Sequence, residues 1–157
     1  MASALMPRVA YFCMEFALHE DLPIYAGGLG VLAGDFIKSA GDLRVPLTAI
    51  GMLWSEGYTS QRIGHDGAPY DTYLPTPRHA LARVAVTVSV EVRGKAIPLT
   101  AYLVKDYGTA PLYLLEPVHE ADRWLTRRLY GGGAEERVAQ EVILGVGGVR
   151  LLRALGI

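Results

Sequence analysis

"YAGGLGVLAGD", residues 25–35, sets four glycines in eleven positions just ahead of a segment with helical periodicity. Before it, "RVAYFCM", residues 8–14, is short, aromatic and partly β-branched, which predicts a buried strand. After it, "GVLAGDFIKSAGDLR" carries Val31, Leu32, Phe36 and Leu43 at roughly helical spacing, and Arg44 and Pro46 mark its end. "VPLTAIGML", residues 45–53, is apolar almost throughout, as strands covered on both faces are. Strand, glycine turn, helix and strand make a βαβ unit, assigned here to residues 8–63.

Outward from this unit the pattern changes. "RIGHDGAPYDTYLPTPRHA", residues 62–80, is rich in Gly, Pro, Asp and His and has no period, so the unit is expected to give way to a long loop over 64–80. "LARVAVTVSVEVRG" alternates Val84, Val86, Val88, Val90 and Val92 with smaller or polar residues, and "KAIPLTAYLVKD" and "APLYLLEPV" follow after short turns. Residues 81–118 therefore read as an antiparallel β meander inserted into an α/β scaffold. Residues 119–157 read as helices. In "HEADRWLTRR", Trp124 and Leu125 are expected on the buried side. After the glycines at 131–133, Glu135 and Glu136 open a helix that closes with Arg150, Arg153 and a Gly156 cap. Its stripe of Val138, Val142, Val146, Val149 and Leu152 predicts one inward face, and Gly145, Gly147 and Gly148 predict close packing on the sheet. The sequence is expected to stop in mid-domain, with apolar surface left along this last helix.

Composition excludes several function classes. The 157 residues are 51% hydrophobic and 20% charged with a net charge of -1, which supplies no basic field for nucleic acid or an anionic membrane. One cysteine, Cys13, lies in the apolar run "VAYFCMEF" and reads as a buried, inert thiol. The four histidines have no metal-binding spacing. "MASALMPRVAYFCMEF" has no signal-peptide pattern, no segment is long and apolar enough to span a membrane, and a cytoplasmic location is the expectation.

Three readings compete for the glycine loop. The first is a tight turn with close helix packing. The second is a dinucleotide fingerprint, since Gly28, Gly30 and Ala33 spell G-x-G-x-x-A, but more than ten residues separate Met14 from Gly28 and Glu56 falls after the second strand. The third is an anion cradle, in which the N–H groups of Gly27, Gly28 and Leu29 at a helix start face a phosphate with no side chain in the way.

The same residues carry a family resemblance. "Y-F-x-M-E-F", "Y-x-G-G-L-G-V-L-A-G-D", "D-L-x-V-P-L" and "G-Y-x-x-Q-R-I" across residues 9–63, with "RLYGGGAEERVAQEVILGVGGVRLLRALGI" after the meander, resemble the N-terminal region of the glycogen (α-glucan/maltodextrin) phosphorylases of the short bacterial and archaeal type. The resemblance implies a partial Rossmann-like N-terminal domain of a GT-B fold. It also implies an enzyme that cleaves terminal α-1,4 links of a glucan or maltooligosaccharide with inorganic phosphate, releasing glucose 1-phosphate, and that carries pyridoxal phosphate on a lysine of a second domain. By carry-over, Gly27 and Gly28 would face phosphate, Leu29 would face the glucosyl ring, and Tyr11 and Glu15 would lie near the site without a chemical step. It leaves a homo-oligomer open for the longer protein and implies an inactive short chain. Phe36, Ser55, Thr59 and Gly133 depart from the residues usual in the family. Two alternatives are a GT-B glucosyltransferase such as glycogen synthase, which usually has lysine where this chain has Tyr25, and a non-catalytic glucan-binding remnant.

Overall fold

A computed structural model describes residues 7–157; residues 1–6, on which part of the signal-peptide reading falls, lie outside the described residues. The glycine loop does open a helix. Strand β1 (Val9–Phe12), helix α1 (Gly28–Asp42) and strand β2 (Leu47–Met52) form the expected βαβ unit, with β1 and β2 parallel and Val9 opposite Leu47. A small antiparallel pair follows, β3 (Ser60–Ile63) with β4 (Pro69–Thr72). Then come β5 (Leu81–Val92), β6 (Lys95–Val104) and β7 (Leu112–Pro117), and the chain ends in a 3-10 segment (Glu120–Thr126), helix α2 (Ala134–Val142), a π-helical turn (Ile143–Gly147) and helix α3 (Gly148–Leu155).

The meander is not a separate insertion. Its last strand, β7, pairs parallel to β2, so one mixed five-stranded sheet runs β1-β2-β7-β6-β5. The β5–β6 turn is a two-residue hairpin with φ +52 at Arg93 and +73 at Gly94, the left-handed pair whose twist suits adjoining strands. Around β1 and β2 the sheet is covered on both faces. Tyr11 packs on Phe36 of α1, while the neighbouring Phe12 lies under Gly148 of α3, where a Cβ would come within 2.6 Å of the Phe12 ring. A Cβ on Gly147 would lie 2.7 Å from the Leu99 side chain and 3.5 Å from that of Leu115. The packing expected of Gly147 and Gly148 is thus present, whereas Gly145 faces open space.

Several sequence expectations are corrected. Strand β1 is an edge strand with exposed and half-buried residues, because only β2 pairs with it. The presumed loop over 62–80 contains β4 and the end of β3, turned by Gly67 at φ +78 and by the Asp66 carboxylate accepting the Ala68 N–H. Strands of four residues are too short to show their alternation in sequence.

The largest correction concerns which helix faces turn inward. On α1 the buried residues are Gly30, Ala33, Gly34, Ile37 and Ala40, while Val31, Leu32, Phe36 and the C-cap residue Leu43 are exposed. At Gly30, Gly34 and Gly41 the helix approaches its neighbours so closely that no side chain fits between: a Cβ on Gly41 would lie 2.7 Å from the Thr109 backbone. On the C-terminal helix Ala139, Ile143, Leu144, Leu151 and Leu152 are buried, but Val138, Val146 and Val149 are exposed. Contact of Gly147 and Gly148 with the sheet turns the valine face outward, through a π turn that sequence periodicity does not reveal. Trp124 is also exposed, and only Leu125 of that pair is buried. Gly156 does cap α3, at φ +73.

On β7, Glu116 is fully buried and accepts hydrogen bonds from both terminal nitrogens of Arg78, with Arg123 Nε 4.0 Å away. The Glu116 pairing raises the Arg78 guanidinium above its ordinary value. Arg78→Met should cost about 2 kcal/mol of stability, because a buried carboxylate loses its main partner while Arg123 compensates in part. A urea midpoint unchanged from wild type would refute this.

Candidate functional site

The candidate site lies where the chain leaves β1 and enters α1. Helix α1 starts at Gly28 with Gly27 as its N-cap, and neither a side-chain cap nor an acidic first-turn residue is present. The first-turn amides of Gly28, Leu29 and Gly30 precede the first i→i−4 bond, from Val31 N–H to the Gly27 carbonyl. An uncapped helix start favours negative charge.

The glycines divide into two kinds. A Cβ on Gly30 would lie 2.6 Å from Tyr25 Cβ and 2.7 Å from Glu15 Oε2, and one on Gly34 would lie 2.0 Å from the Ala17 carbonyl oxygen. Packing requires both. A Cβ on Gly27 or Gly28 would meet nothing within 4 Å, and Gly27 has an extended φ of -161. Neither protein sterics nor backbone conformation accounts for glycine at 27 and 28.

Glu15, three residues past β1, is buried behind the loop. Its Oε2 accepts the N–H of Ala26 at 2.5 Å and of Gly27 at 3.2 Å, and its Oε1 accepts the hydroxyl of Tyr130. The Gly27 amide therefore faces Glu15 in this structure, and the backbone left open is that of the helix's first turn. Leu29 is exposed at that turn. Tyr11 packs on Phe36 and Phe16, with burial raising its phenol, and it has no hydrogen bond to the loop among the described residues. Burial also pushes the Cys13 thiol up, which suits an inert group.

Tyr130 is the participant that sequence reasoning passed over. Its segment is laced to the loop after β2: Ser55 N–H donates to Thr126 O, Glu56 N–H to Arg127 O and Leu129 N–H to Gly57 O, while the Glu56 carboxylate takes both Arg127 and Arg128. These bonds hold Tyr130 at φ +60, where its ring lies under the Arg137 guanidinium and its hydroxyl reaches Glu15. A tyrosine directly ahead of three glycines was the available signal, but the left-handed backbone that aims it is not legible in sequence.

Burial first, then the Glu15 bond and charge, push the Tyr130 phenol up to about 12. A group whose folded pKa is raised contributes stability that is present below its unfolded value near 10 and lost as pH rises toward 12. Tyr130→Phe should remove that contribution, so the fall in urea midpoint between pH 10 and 12 should be shallower than in wild type. Parallel pH profiles would contradict the assignment.

Strand β1, the glycine-started helix α1 and the parallel strand β2 define an α/β domain in which the loop follows the carboxyl end of β1. By sequence this domain is a region related to the glycogen and maltodextrin phosphorylases. The glycogen phosphorylase of Mycobacterium tuberculosis is 42% identical over 98% of this chain and 19% of its own length. The maltodextrin phosphorylase of Thermococcus litoralis is 39% identical over 95% of the chain and 19% of its own length. The glycogen phosphorylase of Aquifex aeolicus is 34% identical, with 95% and 23% covered. The chain thus spans about a fifth of the length of these relatives. No family model matches it. No helix among the described residues is long and apolar enough to cross a membrane.

Proposed function

We propose that this chain is the N-terminal part of an α-glucan phosphorylase of GT-B architecture, which cleaves terminal α-1,4 links with inorganic phosphate and releases glucose 1-phosphate. In this reading the glycine loop binds the phosphate group. One observation carries it: Gly27 and Gly28 lack side chains where the protein has room for them, while Gly30 and Gly34 of the same loop and helix are glycine because packing demands it. Open space above an uncapped helix start suits an oxyanion held by backbone N–H groups, which stabilise charge without reorganising. Leu29, exposed beside them, suits the apolar face of a glucosyl ring.

Pyridoxal phosphate, which the family resemblance implies, would supply a second phosphate group able to exchange a proton with the substrate phosphate. The bare amides suit a phosphate group. The lysines do not suit its covalent attachment beside the loop: Lys38 is about 15 Å along α1 from Gly28 by helix rise and donates to the Leu18 carbonyl, Lys95 pairs with Asp122, and Lys105 follows β6. This chain's own contribution is to bind and orient anions.

Titration of the ¹⁵N-labelled chain with inorganic phosphate tests the reading. Saturable shifts of the Gly28, Leu29 and Gly30 amides are expected. A response to nucleotide sugars alone would favour the glucosyltransferase alternative, and no response to either would sink the phosphate assignment.

A further inference from the structure

Glu15 touches neither of the two open glycines' free faces, yet it is buried and both of its oxygens are occupied. A buried carboxylate is retained only where donors satisfy it. Here the donors come from two distant segments, the loop at Ala26 and Gly27 and the turn at Tyr130. We propose that Glu15 and Tyr130 act together as positioning residues for the glycine loop, fixing the backbone before α1 so that its first-turn amides stay free for an anion. This rests on the phosphate reading of that loop and deepens it.

Three observations support the pairing. The carboxylate binds the two amides just before the helix and leaves the first turn uncapped, although Oε2 sits directly behind Gly30. Gly30 is glycine because Glu15 and Tyr25 occupy its side-chain space, so the sequence of the loop accommodates this carboxylate. Tyr130 is held in a left-handed conformation, uncommon outside glycine, by a lattice of bonds to residues 55–57. The loop's shape is thereby linked to a segment more than a hundred residues later in the chain.

Positioning and plain electrostatics predict opposite signs. A negative charge behind an anion site opposes binding, so if charge alone mattered, Glu15→Gln would tighten phosphate binding. If Glu15 acts by orienting the loop, neutralising it exchanges an acceptor for an amide and loosens the backbone, and binding weakens.

The experiment compares wild type, Glu15→Gln and Tyr130→Phe by phosphate titration of the Gly28, Leu29 and Gly30 amides, with hydrogen exchange at Ala26 and Gly27 and the urea midpoint read in parallel. Phosphate affinity is expected to fall about 5-fold in Glu15→Gln and about 3-fold in Tyr130→Phe, with faster exchange at Ala26 and Gly27, as loss of charge-assisted hydrogen bonds implies. Tyr130→Phe removes one hydroxyl and keeps the proposal open to refutation if Glu15→Gln does not fold. Unchanged or tighter phosphate binding in the folded variants, with wild type responding, would overturn the positioning role and leave the phosphate reading standing. A lower midpoint with unchanged affinity would likewise reduce the pair to structure alone. No phosphate response in wild type would overturn the site reading and this proposal with it.

Discussion

Gly28→Ala is expected to fold as wild type does and to lose about 10-fold or more in phosphate binding by the chain, and in turnover in a longer protein that carries this region, as disturbance of an oriented backbone donor does. The folding half of this expectation follows from the space around the residue, since a methyl group at Gly28 meets no protein atom within 4 Å. Gly28 is the first residue of α1, and alanine is a better helix former than glycine, so the urea midpoint should be equal or slightly higher. The functional half follows from the same geometry: a methyl group would occupy the volume in which an anion must approach the first-turn amides. Midpoint and affinity should therefore move independently. A variant that binds phosphate as wild type does would show that the open space is unused and would remove the loop from the site. A variant that unfolds would show that the space is filled in solution by something the structure places elsewhere.

Gly34→Ala, six residues further along α1, is expected to do the reverse. Its Cβ would lie 2.0 Å from the Ala17 carbonyl oxygen and 2.8 Å from the Ala17 carbonyl carbon, so backbone must move. That backbone is not free to move, because Ala17 N–H donates to the Gly30 carbonyl at 2.9 Å and Lys38 holds the neighbouring Leu18 carbonyl at 2.7 Å. We expect a loss of about 3 kcal/mol, the upper range for overpacking a close-fitted contact, despite the gain in helix propensity. The variant's urea midpoint measures this directly. A loss below about 0.5 kcal/mol would mean that α1 shifts easily on the sheet, and would undermine the contrast between packing glycines and open glycines on which the site reading depends.

That contrast is the part of the candidate site the sequence could not supply. Four glycines in "YAGGLGVLAGD" are equivalent as letters, and the three readings of them stayed open for that reason. The fold sorts them: Gly30 and Gly34 lie against Glu15, Tyr25 and Ala17, while Gly27 and Gly28 face outward. The family resemblance placed Glu15 near the site, but its partner Tyr130 was not legible, because sequence separation of 115 residues carries no sign of contact.

The sequence by itself determined the elements whose cause is local. The βαβ order around the glycine loop, the alternating strand β5, the hairpin at Arg93 and Gly94 and the Gly156 cap are set by periodicity and turn chemistry within a few residues. The motifs of residues 9–63 likewise sufficed to indicate phosphorylase kinship. Only the tertiary structure decided what depends on which surfaces meet. It turned Val31, Leu32 and Phe36 of α1 and Val138, Val146 and Val149 of the last helix outward. It also joined the meander to the sheet through β7 and brought Tyr130 to Glu15. The physical reason is common to all of these. An apolar residue is stabilised by any surface that removes it from water, so hydrophobicity fixes that a face is buried only where close approach permits, and the smallest residues, which the pattern ignores, are the ones that set the approach.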